Sequence, residues 1–211
     1  FDDFSRGLYS TDASIYQIMP LGVVVPKTEE DVRATLNIAY ENGISVTMRG
    51  AGTSQCGQTV GEGIIVDVSK NLKSLVSVDP EKRQAKVQPG IVLDQLNAML
   101  KQHGLFFPVD VSTSSRATIG GMTANNSCGA RSIRYGKMVD NVIDVDAILA
   151  DGSSMRFGKL DEETASAVQQ SQQELVSQLI ELGARESEEV VKRFPKVQRR
   201  VGGYNLDVLS A

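Results

Sequence analysis

One histidine, His103, two cysteines, Cys56 and Cys128, and no tryptophan leave few side chains for acid–base, nucleophilic or metal chemistry in this 211-residue chain. The cysteines stand far apart, with no C-x-x-C and no second histidine, so neither a zinc site nor an iron–sulfur cluster is written in this segment. His103 ends a helical run and precedes Gly104, which fits a helix-end residue favoured by the dipole better than a base. Asp110 and Tyr204 have no visible partner to tune them. Lys192, Arg193, Lys196, Arg199 and Arg200 form a cationic run, read as a solvated helix end in preference to an anion-steering patch. No residue is assigned a catalytic role and none a metal. What the chain has in quantity is glycine, nineteen residues, many of them in two clusters.

The first cluster begins Arg49-Gly50-Ala51-Gly52-Thr53-Ser54-Gln55-Cys56-Gly57-Gln58-Thr59 and lies between two strand-like runs. A dinucleotide fingerprint needs G-x-G-x-x-G opening a helix, and here the third glycine is displaced and a strand follows. Gly52 to Thr59 fits the frame of a nucleoside-triphosphate loop except that Gln58 replaces the lysine that meets the terminal phosphates. What remains is a strand–loop–strand whose successive N–H groups form an anion-binding concavity that needs no net positive charge. A glycine loop without ligand stays open on these residues alone. The second cluster, 108–136, is dense in small, amide and hydroxyl residues, suited to lie along a flat polar ligand.

These loops need elements to position them. Residues 22–25 (GVVV) read as a short strand ended by Pro26, and Thr28 with Glu29, Glu30 and Asp31 reads as an N-cap and acidic first turn. Val32, Leu36, Ala39 and Tyr40 mark one helical face, stopped at Gly43. Residues 45–48 form a second strand, so 22–48 is a βαβ unit with a right-handed parallel crossover. Strands follow at 64–68, 75–78 and 85–88, the last two around Asp79-Pro80, and then a helix from Val92 to Gln102 with Gly104 as its stop. Residues 108–136 show little apolar periodicity. Ile143, Val145, Ala147 and Leu149 alternate as a half-buried strand turned back at Asp151-Gly152. Residues 161–194 are helical, with Val168, Leu175, Leu179 and Leu182 along one side. The fold class is α+β.

In order along the chain stand P-x-T-x-E-D-V at 26–32, R-G-A-G-T-S, Pro89-Gly90, A-T-I-G-G at 117–121, R-Y-G at 134–136 and L-A-D-G at 149–152. Together they resemble the FAD-binding domain of the vanillyl-alcohol oxidase and p-cresol methylhydroxylase superfamily, and within it the FAD-linked D-lactate, glycolate and D-2-hydroxyglutarate dehydrogenases. The resemblance runs from about residue 10 to 206. It implies a two-lobed PCMH-type domain, with an N-terminal βαβ lobe and then a mainly antiparallel sheet with flanking helices. Residues 1–20 are then an N-terminal extension, 21–80 the first FAD-binding lobe, 81–160 the second, and 161–211 a helical segment leading to a substrate domain outside the chain. By the same likeness Gly50, Ala51, Gly52, Thr53 and Ser54 cradle the FAD pyrophosphate, with Gly57 and Gln58 beside them. Pro89 and Gly90 approach the adenosine side. Thr118, Gly120, Gly121, Asn125 and Asn126 line the middle of the cofactor, and Tyr135, Gly136, Val142 and Val145 lie close to it.

Relatives with covalent flavin carry histidine where Thr53 stands, or a cysteine before the glycine pair, and 111–115 has none. Noncovalent FAD is therefore expected, with Cys56 and Cys128 as small residues in tight loops. Arg199-Arg200-Val201-Gly202-Gly203-Tyr204-Asn205-Leu206 resembles the family's R-R-x-x-G-Y-N-L segment. The family's catalytic groups lie beyond it, so the chain reads as an N-terminal piece of a larger enzyme that takes a small 2-hydroxy acid, passes electrons to an acceptor and carries an iron–sulfur module elsewhere. Twenty-two basic and 26 acidic residues give a net charge of −4, which does not draw the chain to nucleic acid. No apolar stretch is long enough to span a bilayer and no leader opens the sequence, although a start at Phe1 suggests a trimmed or mature form. The default location is the cytoplasm, with membrane contact only through an electron acceptor. Three rival readings are an enolpyruvyl-sugar reductase-like flavoenzyme, a non-catalytic FAD-binding electron-transfer subunit, and a nucleoside-triphosphate site at 52–59.

Overall fold

In the computed structural model, residues 2–159, 170–197, 200 and 204–209 are described. They belong to two compact units, 1–154 and 155–211. The first unit opens with α1 (Asp3–Leu8), capped by Asp2, whose carboxylate accepts from Ser5 N at 2.8 Å. After β1 (Gly22–Val24), α2 (Glu29–Glu41) starts at the predicted cap. Thr28 Oγ1 accepts from Asp31 N at 3.2 Å, and Asp31 Oδ2 accepts from Thr28 N at 3.0 Å and from Lys27 N at 2.8 Å. This reciprocal capping satisfies N–H groups that have no partner inside the helix. Val32, Leu36 and Ala39 are buried as the periodicity requires, whereas Tyr40, assigned to the same stripe, is exposed.

Strands β2 (Val46–Arg49) and β3 (Ile64–Asp67) complete a three-stranded sheet in the order β1-β3-β2, every pair parallel. The predicted βαβ unit is therefore split, with the later strand β3 inserted between its two strands. All four residues of β3 are buried, as befits a central parallel strand with both faces covered. Because β2 and β3 run the same way, the segment 50–63 is no hairpin loop. It returns the chain along the whole strand, and a parallel connection needs about a dozen residues or more, which accounts for its length. Val32, Leu36 and Ala39 pack with Ile64, Val66, Val68 and Leu72 into one core, each large side chain contributing about 1.5–3 kcal/mol by burial.

A second core gathers Ile91, Leu93, Leu96, Leu100, Val109, Ala117, Ile119, Met122 and Met138. It is built by α3 (Leu93–Leu100), which passes into a 3-10 turn at Lys101–His103 and stops at Gly104 (φ 68°), as the sequence predicts. The hairpin of β4 (Leu75–Asp79) and β5 (Gln84–Val87) is antiparallel, with an irregularity between Leu75 and Ser77. The expected lobe boundary at 80/81 falls in its turn. The second glycine cluster, which shows little periodicity, contains α4 (Ile119–Ala124) and α5 (Ser132–Tyr135), and α6 (Met138–Asn141) follows it. Gly120 and Gly121 lie inside α4 and hide it, since glycine weakens a helix by about 1 kcal/mol relative to alanine. On β6 (Asp144–Ile148) the expected face is corrected. Ile143 and Val145 are exposed, while Ile148 packs against the first core. The chain then turns at Gly152 (φ 78°), held by Leu149 N to Ser153 O at 2.8 Å.

The second unit takes in β7 (Ser154–Gly158) from its second residue on, with α7 (Gln170–Arg193) and α8 (Leu206–Leu209). Leu175, Leu179 and Leu182 are half-buried along α7 and Val190 is buried. Glycine at 183 admits α8, because a Cβ there would stand 2.4 Å from Leu209 O. Val168 and the start of the expected helix, with Arg199 and 201–203 of the R-R-x-x-G-Y-N-L segment, lie outside the described residues. The cationic run is largely paired. Lys192 and Arg193 both meet Glu189, and Arg200 meets Asp207 at 2.5 Å and lies over the Phe194 ring at 4.5 Å.

Candidate cofactor site

Three of the predicted motifs converge on the start of α4. Thr118, 2% exposed, caps that helix, its Oγ1 accepting from Gly121 N at 3.4 Å. Gly50 lies directly against it: a Cβ there would stand 2.2 Å from Thr118 Oγ1, so only glycine lets the first loop approach. Gly120 N donates to Pro89 O at 2.8 Å and Ile119 N to Ile91 O at 2.9 Å, joining the Pro89-Gly90 pair to the same helix start. Gly90 itself is buried under the carbonyls of Val68 and Leu72 and donates to Leu72 O at 2.7 Å. Gln58 Nε2 donates to Asn125 Oδ1 at 2.9 Å, closing a bridge from the loop to the far end of α4. Ser54 Oγ donates to Gln58 Oε1 and accepts from Cys56 N at 3.2 Å.

The loop backbone leaves a run of amides without a protein acceptor. Gly52 takes φ 67°, a conformation side chains rarely adopt. Among the described residues no acceptor takes the N–H groups of Ala51, Gly52, Thr53 or Ser54. Consecutive amides left unpaired in a curved loop form a concavity of partial positive charge, complementary to a phosphate. The Gly52–Thr59 frame leads into β3 and not into a helix, which removes the nucleoside-triphosphate reading.

The other predicted residues are placed less centrally. Asn126 (φ 45°) accepts from Val139 N at 3.0 Å and so ties α4 to α6. Tyr135 stands edge-on to Phe106 at 5.9 Å, and Gly136 (φ 78°) ends α5. Val142 packs against the second core and Val145 is exposed on β6. Among the described residues no hydrogen bond or ring contact joins Tyr135, Gly136, Val142 or Val145 to the loop 50–59. His103 is exposed at its helix end, and Asp110 Oδ1 accepts from Arg131 N at 2.9 Å. Cys56 is exposed, Cys128 half-buried, and both are free thiols. No group of three His, Cys, Asp or Glu side chains is arranged to hold a metal among the described residues. Among them, also, no helix is long and apolar enough to cross a membrane.

Sequence reasoning passed over the segment 9–17, which grips the loop from its other side. Ala13 N donates to Gly52 O at 3.0 Å, Thr59 Oγ1 donates to Asp12 Oδ2 at 2.9 Å, and the Tyr16 ring covers Gly57, where a Cβ would come within 2.5 Å of it. Arg49 Nη1 donates to Tyr9 O at 3.4 Å and Thr59 O at 3.3 Å, with its guanidinium 5.1 Å from the Tyr9 ring centre. Tyr9 Oη donates to the buried Asp67 carboxylate at 2.7 Å. Burial, with that hydrogen bond and the Asp67 charge, pushes the Tyr9 phenol up to about 12. Burial raises the Asp12 carboxyl, but hydrogen bonds from Ser14 and Thr59 outweigh it and leave the group below its usual value. The signal present in the sequence was the run Ser10-Thr11-Asp12-Ala13-Ser14, rich in side chains that fold back on the backbone.

The FAD binding domain family matches residues 20–158. D-2-hydroxyglutarate dehydrogenase of Pseudomonas putida is 36% identical over 97% of this chain and 21% of its own length. The glycolate oxidase subunit GlcD of Bacillus subtilis is 38% identical over 75% of the chain and 34% of its length, and D-lactate dehydrogenase of Archaeoglobus fulgidus 39% over 64% and 30%. The chain thus spans about a fifth to a third of the relatives it matches. An alkyldihydroxyacetonephosphate synthase structure superposes with TM-score 0.67 at 19% identity, covering 78% of this chain and 32% of the other, a likeness of fold. The family model matches about two thirds of the chain, which therefore belongs to the FAD binding domain family.

Proposed function

We propose that this chain is the flavin cradle of an FAD-linked oxidoreductase that oxidises a D-2-hydroxy acid, of the D-lactate, glycolate or D-2-hydroxyglutarate kind, and hands the electrons to an acceptor. The observation that carries the cofactor half is the run of unpaired N–H groups at 51–54, held open between Thr118 and the segment 9–17. Ala51, Gly52, Thr53 and Ser54 hold the pyrophosphate by these amides, and Gly50 lets the loop sit close enough to α4. Gln58 and Asn125 lie exposed beside them and offer amide groups to the rest of the cofactor. Thr53 in place of a histidine supports noncovalent attachment. When bound, FAD supplies the acceptor for the hydride of the alcohol carbon. The substrate half is supported by relatives 36–39% identical whose names are those of 2-hydroxy-acid dehydrogenases and oxidases.

The base for the hydroxyl proton and the cations for the carboxylate belong, on this reading, to a further domain, as does any iron–sulfur module. A cytoplasmic location, with membrane contact only through the acceptor, goes with it. Anaerobic addition of each acid to the full gene product tests the reading. One of the three is expected to bleach the flavin absorbance, while this chain loaded with FAD does not respond. Bleaching by none of them, or turnover by this chain alone, contradicts it.

A further inference from the structure

The family model begins at residue 20, yet the loop 50–59 is gripped by residues that precede it. Asp12 takes the Thr59 hydroxyl at 2.9 Å, Ala13 N takes the Gly52 carbonyl at 3.0 Å, and the Tyr16 ring closes over Gly57. The segment is itself braced: Thr11 bridges to Gln17 in antiparallel fashion, Ile18 N donates to Ser10 O at 2.9 Å, and Ser14 N donates to Asp12 Oδ1 at 2.8 Å. At its base Arg49 joins the Tyr9 and Thr59 carbonyls. A glycine-rich loop pays a large entropic cost to hold one shape, and amides preorganised in that shape bind an anion without meeting the cost again. Thr118 and Asn125 fix one side of the loop, and the segment 9–17 is what fixes the other.

We propose that residues 9–17 form a brace that sets the loop 50–59 in its FAD-receiving shape, with Asp12 and Tyr16 as positioning residues that do not touch the cofactor. This rests on the reading of that loop as the pyrophosphate cradle. Asp12 acts by orienting Thr59, and Tyr16 by its ring face alone, since its hydroxyl is not part of the grip. Losing either contact loosens the loop at Arg49, which then becomes a better substrate for trypsin.

The test compares this chain with Asp12→Ala, Tyr16→Ala and Tyr16→Phe at a temperature well below unfolding, following FAD affinity by flavin fluorescence and tryptic cleavage after Arg49 without FAD. Asp12→Ala and Tyr16→Ala are expected to weaken FAD about tenfold each, the effect of roughly one lost hydrogen bond or ring contact. Both are expected to speed cleavage after Arg49, and Tyr16→Phe to match the parent in both readouts. Unchanged affinity in Asp12→Ala and Tyr16→Ala overturns the brace alone. So does weaker binding without faster cleavage, because the loop is then not what moved. A parent chain that takes up no FAD overturns the functional reading and the brace together.

Discussion

Tyr9 shows how a residue can matter to a site without any chemistry of its own. Its phenol donates to the buried Asp67 at the C-terminal end of β3, and its carbonyl receives Arg49 at the root of the glycine loop. The phenol is raised to about 12, above its ordinary value near 10, so the neutral, donating form is the one the fold favours. Its contribution to stability is therefore complete below pH 10 and is lost as pH rises through about 12. An alkaline titration followed by tyrosinate absorbance should show a step near pH 12 that disappears in Tyr9→Phe, and the mutant should lose less stability than the parent between pH 10 and 12. A step that persists in Tyr9→Phe would put the raised phenol elsewhere. At this scale the sequence was only partly legible. Gly50 and Gly52 stand out because glycine marks close approach or positive φ, yet Gly50 approaches Thr118, a partner far along the chain that no local pattern indicates. Tyr9, Asp12 and Tyr16 carry no spacing that ties them to residues 49–67.

Elements defined by local rules were readable. The Thr28 cap, the acidic first turn and the stripe Val32, Leu36, Ala39 locate α2 to within a few residues, because helix ends and amphipathic periods are properties of neighbours in sequence. Hydrogen bonds from Lys27 and Thr28 backbone groups hold the Asp31 carboxyl below its usual value, as a capping carboxylate should be. Thr28→Ala is expected to cost about 1 kcal/mol, lowering the melting temperature by roughly 2–4 °C for a chain of this size, as read by circular dichroism. Unchanged melting would mean that α2 is held by its packing against β3 and owes nothing to the cap. Strand order was not readable. Insertion of β3 between β1 and β2 depends on long-range pairing, and only with it does the loop 50–63 become a crossover that must span the sheet. Helix α4 was hidden for a different reason. Gly120 is required by Pro89 alongside, where a Cβ would stand 2.6 Å from the proline ring, a tertiary demand that overrides propensity.

Across the whole molecule, the acidic charge balance bears on how the proposed cofactor would be held. On the proposed function a net charge of −4 is no obstacle to a diphosphate, because backbone amides attract an anion locally whatever the protein's overall field. The family match covers 20–158, and the relatives are far longer than this chain. The central claim is that the loop 50–59 is the seat of FAD, and Gly52 tests it most directly. A Cβ at this left-handed position would stand 2.7 Å from the Arg49 guanidinium, so valine cannot keep the loop's shape. Titrating FAD into the chain and into Gly52→Val, with flavin fluorescence as the signal, should show saturable uptake by the parent and a loss of at least about tenfold in the variant, equivalent to about 1.4 kcal/mol. Equal uptake by a folded Gly52→Val would contradict the assignment.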